Sequence, residues 1–384
     1  MHIQYQQFFK KQKNSNPPLP RPPPTSHKTI IQQLSEALSE FDTTINKQKI
    51  ETMTVLSVTE DEINELHSTL TNRTGTVPLA SRFRALFTLK AIGSPPAVKA
   101  IGDALRPSKD SSDQPQALLG HELAYCLGQI ADPTALPVLE ATLRDTSVHP
   151  MVRHEAAEAM GAIGNPISLG ILREFLKDEE VSVRETCELA IEKIEGNESF
   201  KANEAGVYGT IDPAPSMIKS FHDTSATDLG RNDLIKMKVQ LLDQQKSLFE
   251  RYRAMFGLRD AVRRASENDE LDGIAIDALA TGFSDPSALF RHEIAYVFGQ
   301  LSHPLSVPAL VKVLENKQED EMVRHEAAEA LGSIATPEVL TTLKAHASPE
   351  EQSRVVRESC EVALDMYNHE HSQEFQYTLP LKSV

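Results

Sequence analysis

Apolar residues recur at helical spacing through most of the chain from about residue 55 onward. In the segment 291–301 the apolar positions that share one helix face are Ile294, Val297, Phe298 and Leu301. Such segments alternate with a second kind of helical pattern, for example 133–144 and 304–314. These begin with Pro, which is tolerated in the first turn of a helix. The pattern predicts an all-α protein built from pairs of helices.

Internal repeats organise these helices. Four segments align without gaps, namely GHELAYCLGQI (120–130), RHEAAEAMGAI (153–163), RHEIAYVFGQL (291–301) and RHEAAEALGSI (324–334). The two copies within each half are 33 residues apart, and each copy lies 171 residues from its equivalent in the other half. Weaker copies flank them, because 81–92 matches 250–261 and 183–194 matches 356–367. We therefore expect an α-solenoid of eight HEAT-like helix pairs in two pseudo-symmetric four-repeat halves.

The same patterns divide the chain. Residues 1–52, rich in Gln, Lys and Pro, read as a disordered tail, because such composition buries little apolar surface. Residues 53–195 form the N-terminal half and 234–368 the C-terminal half, while 369–384 form a polar C-terminal tail. The weakly periodic linker 196–233 would let the two halves face each other across a cleft and close on a ligand.

Composition narrows the class of protein. The 384 residues are 40% hydrophobic, lack Trp and hold only 5% aromatics, which favours packed helices over a β-sandwich. The first 50 residues carry seven Lys/Arg and three Asp/Glu, so the rest, with 32 basic and 52 acidic residues, carries −20. An acidic body disfavours nucleic acid and favours a basic or polyamine-like partner, although such charge also serves solubility. The three scattered cysteines predict neither disulfides nor a Cys-based metal site.

Four His-Glu pairs carry the strongest functional signal. They occupy one position in the inner two repeats of each half, whereas the outer repeats carry Phe83, Glu185, Tyr252 and Glu358 there. Packing of a solenoid therefore does not require them. The pairs are His121-Glu122, His154-Glu155, His292-Glu293 and His325-Glu326. A fifth pair, His369-Glu370, falls in a polar tail outside the repeats and reads as ordinary surface.

Equivalent positions on successive helices line one face, so neighbouring repeats would present their imidazoles about 10 Å apart, the spacing of packed helices. Imidazole and carboxylate donors suit non-haem iron, manganese or zinc. Four of each match two metal ions with open positions. Four residues after each histidine come Tyr125, Glu158, Tyr296 and Glu329, which fit outer partners of the ligands and ordinary packing equally well.

The chain resembles deoxyhypusine hydroxylase over roughly residues 55–370. The motifs that carry the resemblance are HELAYCLGQ, MVRHEAAEAMGAIG, VRETCELAI, TIDPAPS, RYRAMFGLRD, RHEIAYVFGQ, MVRHEAAEALGSIA and VRESCEVALDMY. The resemblance implies a monooxygenase that hydroxylates the deoxyhypusine side chain of translation initiation factor 5A, with two Fe²⁺ per chain and O₂ as co-substrate. The acidic body argues against nucleic acid as a partner, and the hydropathy of the chain argues against a membrane.

The resemblance also implies which residues bind. His121 and His154 would bind one iron together with Glu293, and His292 and His325 would bind the other together with Glu122. Glu155 and Glu326 would either bind iron or hold the cationic substrate.

Two other readings remain open at this point, a HEAT-repeat scaffold without metal and a HEAT-type lyase that attaches a tetrapyrrole chromophore. No stretch approaches the roughly 20 apolar residues of a membrane span, and the N-terminus lacks a secretory signal. We expect a monomer in the cytoplasm, with the nucleus left open as a second compartment.

Overall fold

A computed structural model describes residues 58–72, 75–106, 116–196, 208–218, 230–264 and 269–372. The predicted tail 1–52 lies outside these residues. Sixteen α-helices follow one another in the described part of the chain: α1 Glu60–Leu70, α2 Leu79–Ile92, α3 Pro95–Leu105, α4 Ala117–Ile130, α5 Leu136–Arg144, α6 Pro150–Ile163, α7 Leu169–Glu174, α8 Val181–Glu195, α9 Arg231–Leu242, α10 Leu248–Arg264, α11 Asp269–Ala280, α12 Ala288–Leu301, α13 Val307–Glu315, α14 Glu321–Ile334, α15 Val339–His346 and α16 Arg354–His371. They form eight consecutive pairs, and the described residues contain no strand, which confirms the predicted all-α solenoid.

The even-numbered helices form the inner layer, and the odd-numbered helices cover them. Short turns bring the chain back to the outer layer, and their sequences explain their shape. Asp132, Asn165 and His303 each precede a proline and accept a hydrogen bond from the backbone N–H two residues later. Each proline then starts a 3₁₀ turn that leads into α5, α7 or α13.

Several neighbouring inner helices approach closely because a glycine on one helix meets an alanine on the next. Gly128 of α4 packs on Ala159 of α6, and Gly332 of α14 packs on Ala363 of α16. A Cβ atom added at either glycine would lie 2.7 Å from the Cα atom of the facing alanine. Gly128 stands seven residues after His121, two turns along the same face, so it fixes the spacing of α4 and α6, which carry His121 and His154.

The two halves close into a ring rather than facing each other across an open cleft. Helix α8 packs on α10 and α12, and α16 packs back on α2 and α4. At the second junction Arg84 of α2 donates two hydrogen bonds, of 3.0 and 2.7 Å, to Asp365 of α16. The predicted cleft is wrong for this reason: both ends of each half find apolar and ionic partners on the other half.

Two helix bounds differ from the sequence-based ones. Helix α9 begins at Arg231, inside the predicted linker, and α16 continues through His371, beyond the predicted end of the C-terminal half. Among the described residues, no helix is both long and apolar enough for a membrane span.

Candidate metal centre

Each of the four predicted histidines is the fifth residue of an inner helix. His121, His154, His292 and His325 lie on α4, α6, α12 and α14 in that order. All four are at most 5% exposed. Because the helices are equivalent repeats arranged in a ring, side chains one turn from their N-termini converge on the ring's centre.

The four imidazoles lie much closer together than packed helices alone would place them. Ring centroids are separated by 5.5 Å for His121 and His154, and by 5.3 Å for His292 and His325. Across the halves His121 lies 5.8 Å from His292 and 5.1 Å from His325. The predicted separation of about 10 Å is wrong, because helix spacing measures axes whereas these side chains lean inward.

The four predicted carboxylates are buried beside the histidines. Glu122, Glu155, Glu293 and Glu326 are 0 to 3% exposed. The contacts follow the pseudo-symmetry of the sequence. An oxygen of Glu155 lies 3.1 Å from His121 Nε2, and an oxygen of Glu326 lies 3.5 Å from His292 Nε2. His121 Nδ1 also lies 3.3 Å from Glu122 Oε1. The structure therefore brings all eight predicted residues together.

Many buried nitrogen and oxygen atoms in this centre make no hydrogen bond to a described residue. Both ring nitrogens of His154, His292 and His325 are buried and make no hydrogen bond to a described residue, and neither does Glu293 Oε1. Buried polar atoms normally have hydrogen-bond partners. A cluster of this many without one indicates a binding site for a ligand or an ion. Possible metal ligands form two groups, and within each group the ligand atoms lie within 4.8 Å of one another. One group is His121, His292 and His325, and the other is His121, His154 and Glu155. The nitrogen and oxygen donors fit a divalent ion such as iron.

The electrostatics favour the metal-binding form of two histidines. Burial, together with the neighbouring imidazoles, holds the pKa of His154 and of His325 well below the usual value. Both rings are therefore neutral and offer a lone pair. For His121 burial acts in the same direction, but the carboxylates of Glu155 and Glu122 outweigh it and raise the pKa.

The carboxylates respond in opposite directions. Burial, and then the nearby Glu329, raise the pKa of Glu122 to about 7. Burial would also raise the pKa of Glu326, but His292 outweighs it and lowers that pKa to about 2. Crowded acidic groups in a dry site repel one another, and a cation relieves that repulsion.

The residues four positions after the histidines surround the centre. Tyr125 and Tyr296 meet across the two halves, with hydroxyl oxygens 3.2 Å apart. Glu329 is 2% exposed, and its carboxylate lies 3.9 Å from His325 Nδ1. By contrast, His369 is half-buried and Glu370 is exposed near the end of α16, and neither belongs to a group of possible metal ligands among the described residues.

A cavity of about 560 Å³ opens between the N-termini of four inner helices, α6, α8, α12 and α14. Its wall includes Met151, Leu289 and Met322, and the carboxylates of Glu185 and Glu321 line it from opposite halves. His149 and Glu321 bridge the halves here, with His149 Nε2 3.1 Å from Glu321 Oε1. Since Met151 and Met322 each stand three residues before a centre histidine, the cavity lies directly over the centre.

Sequence reasoning missed the buried polar residues on the far side of the centre. Asp212 and Arg259 form a buried ion pair there, with Lys193 and Gln300 beside it. The signal for Asp212 was the TIDPAPS motif, which stands out in an otherwise irregular segment.

The chain is similar in sequence to known proteins over most of its length. The chain matches the family model of HEAT repeats over residues 112–192 and 262–365. Curated deoxyhypusine hydroxylases from Mus musculus and Homo sapiens are 49% and 48% identical over 83% and 85% of this chain, and over 96% and 98% of their own lengths. That of Candida albicans is 47% identical over 83% of this chain and 98% of its own length.

A solved structure agrees with the sequence relatives. The structure of human deoxyhypusine hydroxylase in complex with glycerol matches with a TM-score of 0.70 and 46% identity, over 81% of this chain and 98% of that one. The resemblance seen in the motifs is thus confirmed along nearly the whole length of these relatives. This chain belongs to the deoxyhypusine hydroxylase family.

Proposed function

We propose that this protein is a monooxygenase that hydroxylates the deoxyhypusine side chain of translation initiation factor 5A, with two Fe²⁺ ions and O₂. The observation that carries the proposal is the centre itself. Four buried histidines and four buried glutamates converge from two equivalent halves, and many of the imidazole nitrogens make no hydrogen bond to a described residue. A pair of ferrous ions, when bound, supplies oxygen activation for the hydroxylation of a C–H bond.

The roles proposed for the protein residues follow the family resemblance. His121 and His154 would bind one ion and His292 and His325 the other, while Glu293 and Glu122 would each reach to the ion of the opposite half. Glu155 and Glu326 stand directly beside His121 and His292, so they serve either as further ligands or as acceptors for the substrate's ammonium groups. Burial of all eight residues keeps bulk water from the reacting carbon.

The cavity over the centre suits a long cationic side chain. Its methionine and leucine wall packs against methylene groups, and the carboxylates of Glu185 and Glu321 attract the amines. The acidic body of the protein adds long-range attraction for such a substrate. The proposal includes a monomer that works in the cytoplasm, without nucleic acid or membrane as a partner.

One experiment tests the metal and the reaction together. Apo-protein is reconstituted anaerobically with Fe²⁺, its iron is counted, and it is then given ¹⁸O₂, a reductant and the deoxyhypusine form of the factor. We expect two irons per chain and one ¹⁸O atom in the product. His121→Ala should lower the iron content, since His121 belongs to both donor groups. His369→Ala, on the pair outside the repeats, is the matched control and should not change it. Wild-type protein that retains no iron, or that transfers no ¹⁸O, overturns the proposal.

A further inference from the structure

Residues 208–218, here called the strap, cross between the two halves of the ring. They contain the TIDPAPS motif, and their hydrogen bonds reach four inner helices, α4 and α8 of the N-terminal half and α10 and α12 of the C-terminal half. The described part of the linker is therefore fixed to both halves.

On the N-terminal half, two residues hold the strap by its backbone. Gln129 of α4 both donates to Ile211 O, at 3.2 Å, and accepts from Ile211 N–H, at 2.8 Å. Lys193 of α8 donates to Asp212 O at 2.6 Å. Lys193 is 8% exposed, so this ammonium group is largely removed from water, and its hydrogen bond to the strap partly replaces the lost water.

On the C-terminal half, an ion pair holds the strap. Arg259 of α10 donates two hydrogen bonds, of 3.0 and 2.7 Å, to the two carboxylate oxygens of Asp212. Gln300 of α12 donates to Thr210 Oγ1 at 3.0 Å and accepts from Arg259 at 2.7 Å. Arg259, Gln300 and Thr210 are at most 1% exposed. A bidentate pair in such a dry place is rigid and costly to break from one side.

The strap grips the helices that carry the centre. Gln129 stands eight residues after His121 and Gln300 eight residues after His292, so the two glutamines are pseudo-symmetric. At 1.5 Å per residue, each lies about 12 Å along its helix from the histidine. The strap thus joins equivalent points of α4 and α12, on the side of the centre opposite the cavity.

We propose that Asp212 is a positioning residue, which through the strap fixes the separation of the two histidine half-sites at the distance that two metal ions require. Asp212 touches neither the histidines nor their proposed ions, and it acts through α4, α8, α10 and α12. The inference rests on the proposed two-metal function for its purpose, but the distance that it concerns exists without metal.

The test compares two variants that each remove a buried carboxylate from an arginine. Asp212→Asn breaks the pair that joins the halves. Asp285→Asn is the matched control, because Asp285 and Arg251 are 6% and 4% exposed and pair within the C-terminal half alone. Both variants should lose stability, since each takes one carboxylate away from a buried arginine, although Arg259 keeps its pair with Asp260 at 2.9 Å. Only Asp212→Asn should alter the spacing of the halves.

The spacing is measured in the apo-protein by electron–electron double resonance. Spin labels are placed through Ile167→Cys and Leu305→Cys, exposed positions in opposite halves, at 77% and 53% exposure. The natural cysteines, Cys126, Cys187 and Cys360, are buried and stay unlabelled in the folded protein. We expect a wider or shifted distance distribution for Asp212→Asn, and the wild-type distribution for Asp285→Asn.

Titration of each apo-protein with Co²⁺ alone, followed by its visible absorption, gives the second readout. If the halves hold the binding distance in only a tenth of the Asp212→Asn molecules, the apparent Kd rises about tenfold. Asp285→Asn should bind Co²⁺ with wild-type affinity. Wild-type distances and wild-type Co²⁺ affinity in Asp212→Asn would overturn the inference. Failure of wild-type protein to bind two Co²⁺ ions would instead count against the proposed function, and the label distances alone would then decide the role of Asp212.

Discussion

Replacement of Gly128 by alanine tests whether the close approach of the inner helices shapes the metal centre. The added Cβ atom would lie 2.7 Å from Ala159 Cα and 2.9 Å from Ala159 Cβ. The facing atoms belong to backbone and to a side chain without rotamers, so no side-chain rotation relieves the clash. Gly299 is the equivalent position in the other half, and there the added Cβ would lie 3.4 Å from the Cα and Cβ atoms of Ala330.

The two distances give different energies. Alanine is better than glycine in a helix interior by about 1 kcal/mol, which both variants gain. Overpacking costs about 1–3 kcal/mol, and it applies in full only at Gly128. We therefore expect Gly299→Ala to be neutral or stabilising by up to about 1 kcal/mol. Gly128→Ala should be less stable than Gly299→Ala by about 1–3 kcal/mol.

Urea and thermal unfolding of the two apo-proteins measure this difference, with a gap of roughly 1–2 °C in Tm for each kcal/mol in a chain of 384 residues. Because α4 carries His121, Gly128→Ala should also weaken Co²⁺ binding, while Gly299→Ala should leave it unchanged. Equal stabilities for the two variants would refute the argument that contact distance at the glycine fixes the helix spacing.

Three further predictions concern stability. Ala335 has a φ of 52°, whereas the equivalent residue after α6 is Gly164. Ala335→Gly should therefore raise the free energy of unfolding, measured in urea, by up to about 1 kcal/mol. A free energy of unfolding below that of the wild type would contradict the argument from backbone strain. Burial would raise the pKa of Glu351, but Arg324 and His346 outweigh it and lower that pKa to about 2. This contribution is present above the unfolded value of about 4.3 and is lost as the pH falls toward 2, so Glu351→Gln should cost on the order of 2 kcal/mol at pH 7 and less at pH 3.5. A cost independent of pH would show that the carboxylate's charge is irrelevant. Fe²⁺ or Co²⁺ at a hundred times its Kd should raise the free energy of unfolding by about 2.7 kcal/mol and therefore raise Tm. A chelator should reverse the rise in Tm. An unchanged Tm would mean that the ions do not bind the folded state preferentially.

The repeats made much of this protein readable from its sequence. Helical periodicity and prolines at helix starts are local properties of the sequence. Because the same local pattern recurs in eight repeats, each repeat supports the prediction for the others. The 33- and 171-residue spacings placed His121, His154, His292 and His325 at one structural position, and the structure gathers all four. His369 could be set aside for the same reason, since it stands outside the repeat.

Only the tertiary structure decided how the repeats close. Ring closure depends on small rotations between neighbouring helix pairs, which accumulate along the solenoid and which no single repeat encodes. That closure brings His121 within 5.1 Å of His325, more than 200 residues away in the chain, and converts two predicted arms into one buried centre. The strap was equally hidden, because the partners of Asp212 come from helices of both halves and become neighbours only once the ring has formed. Sequence by itself thus determined which residues form the centre, while long-range packing determined how near they stand and what holds them there.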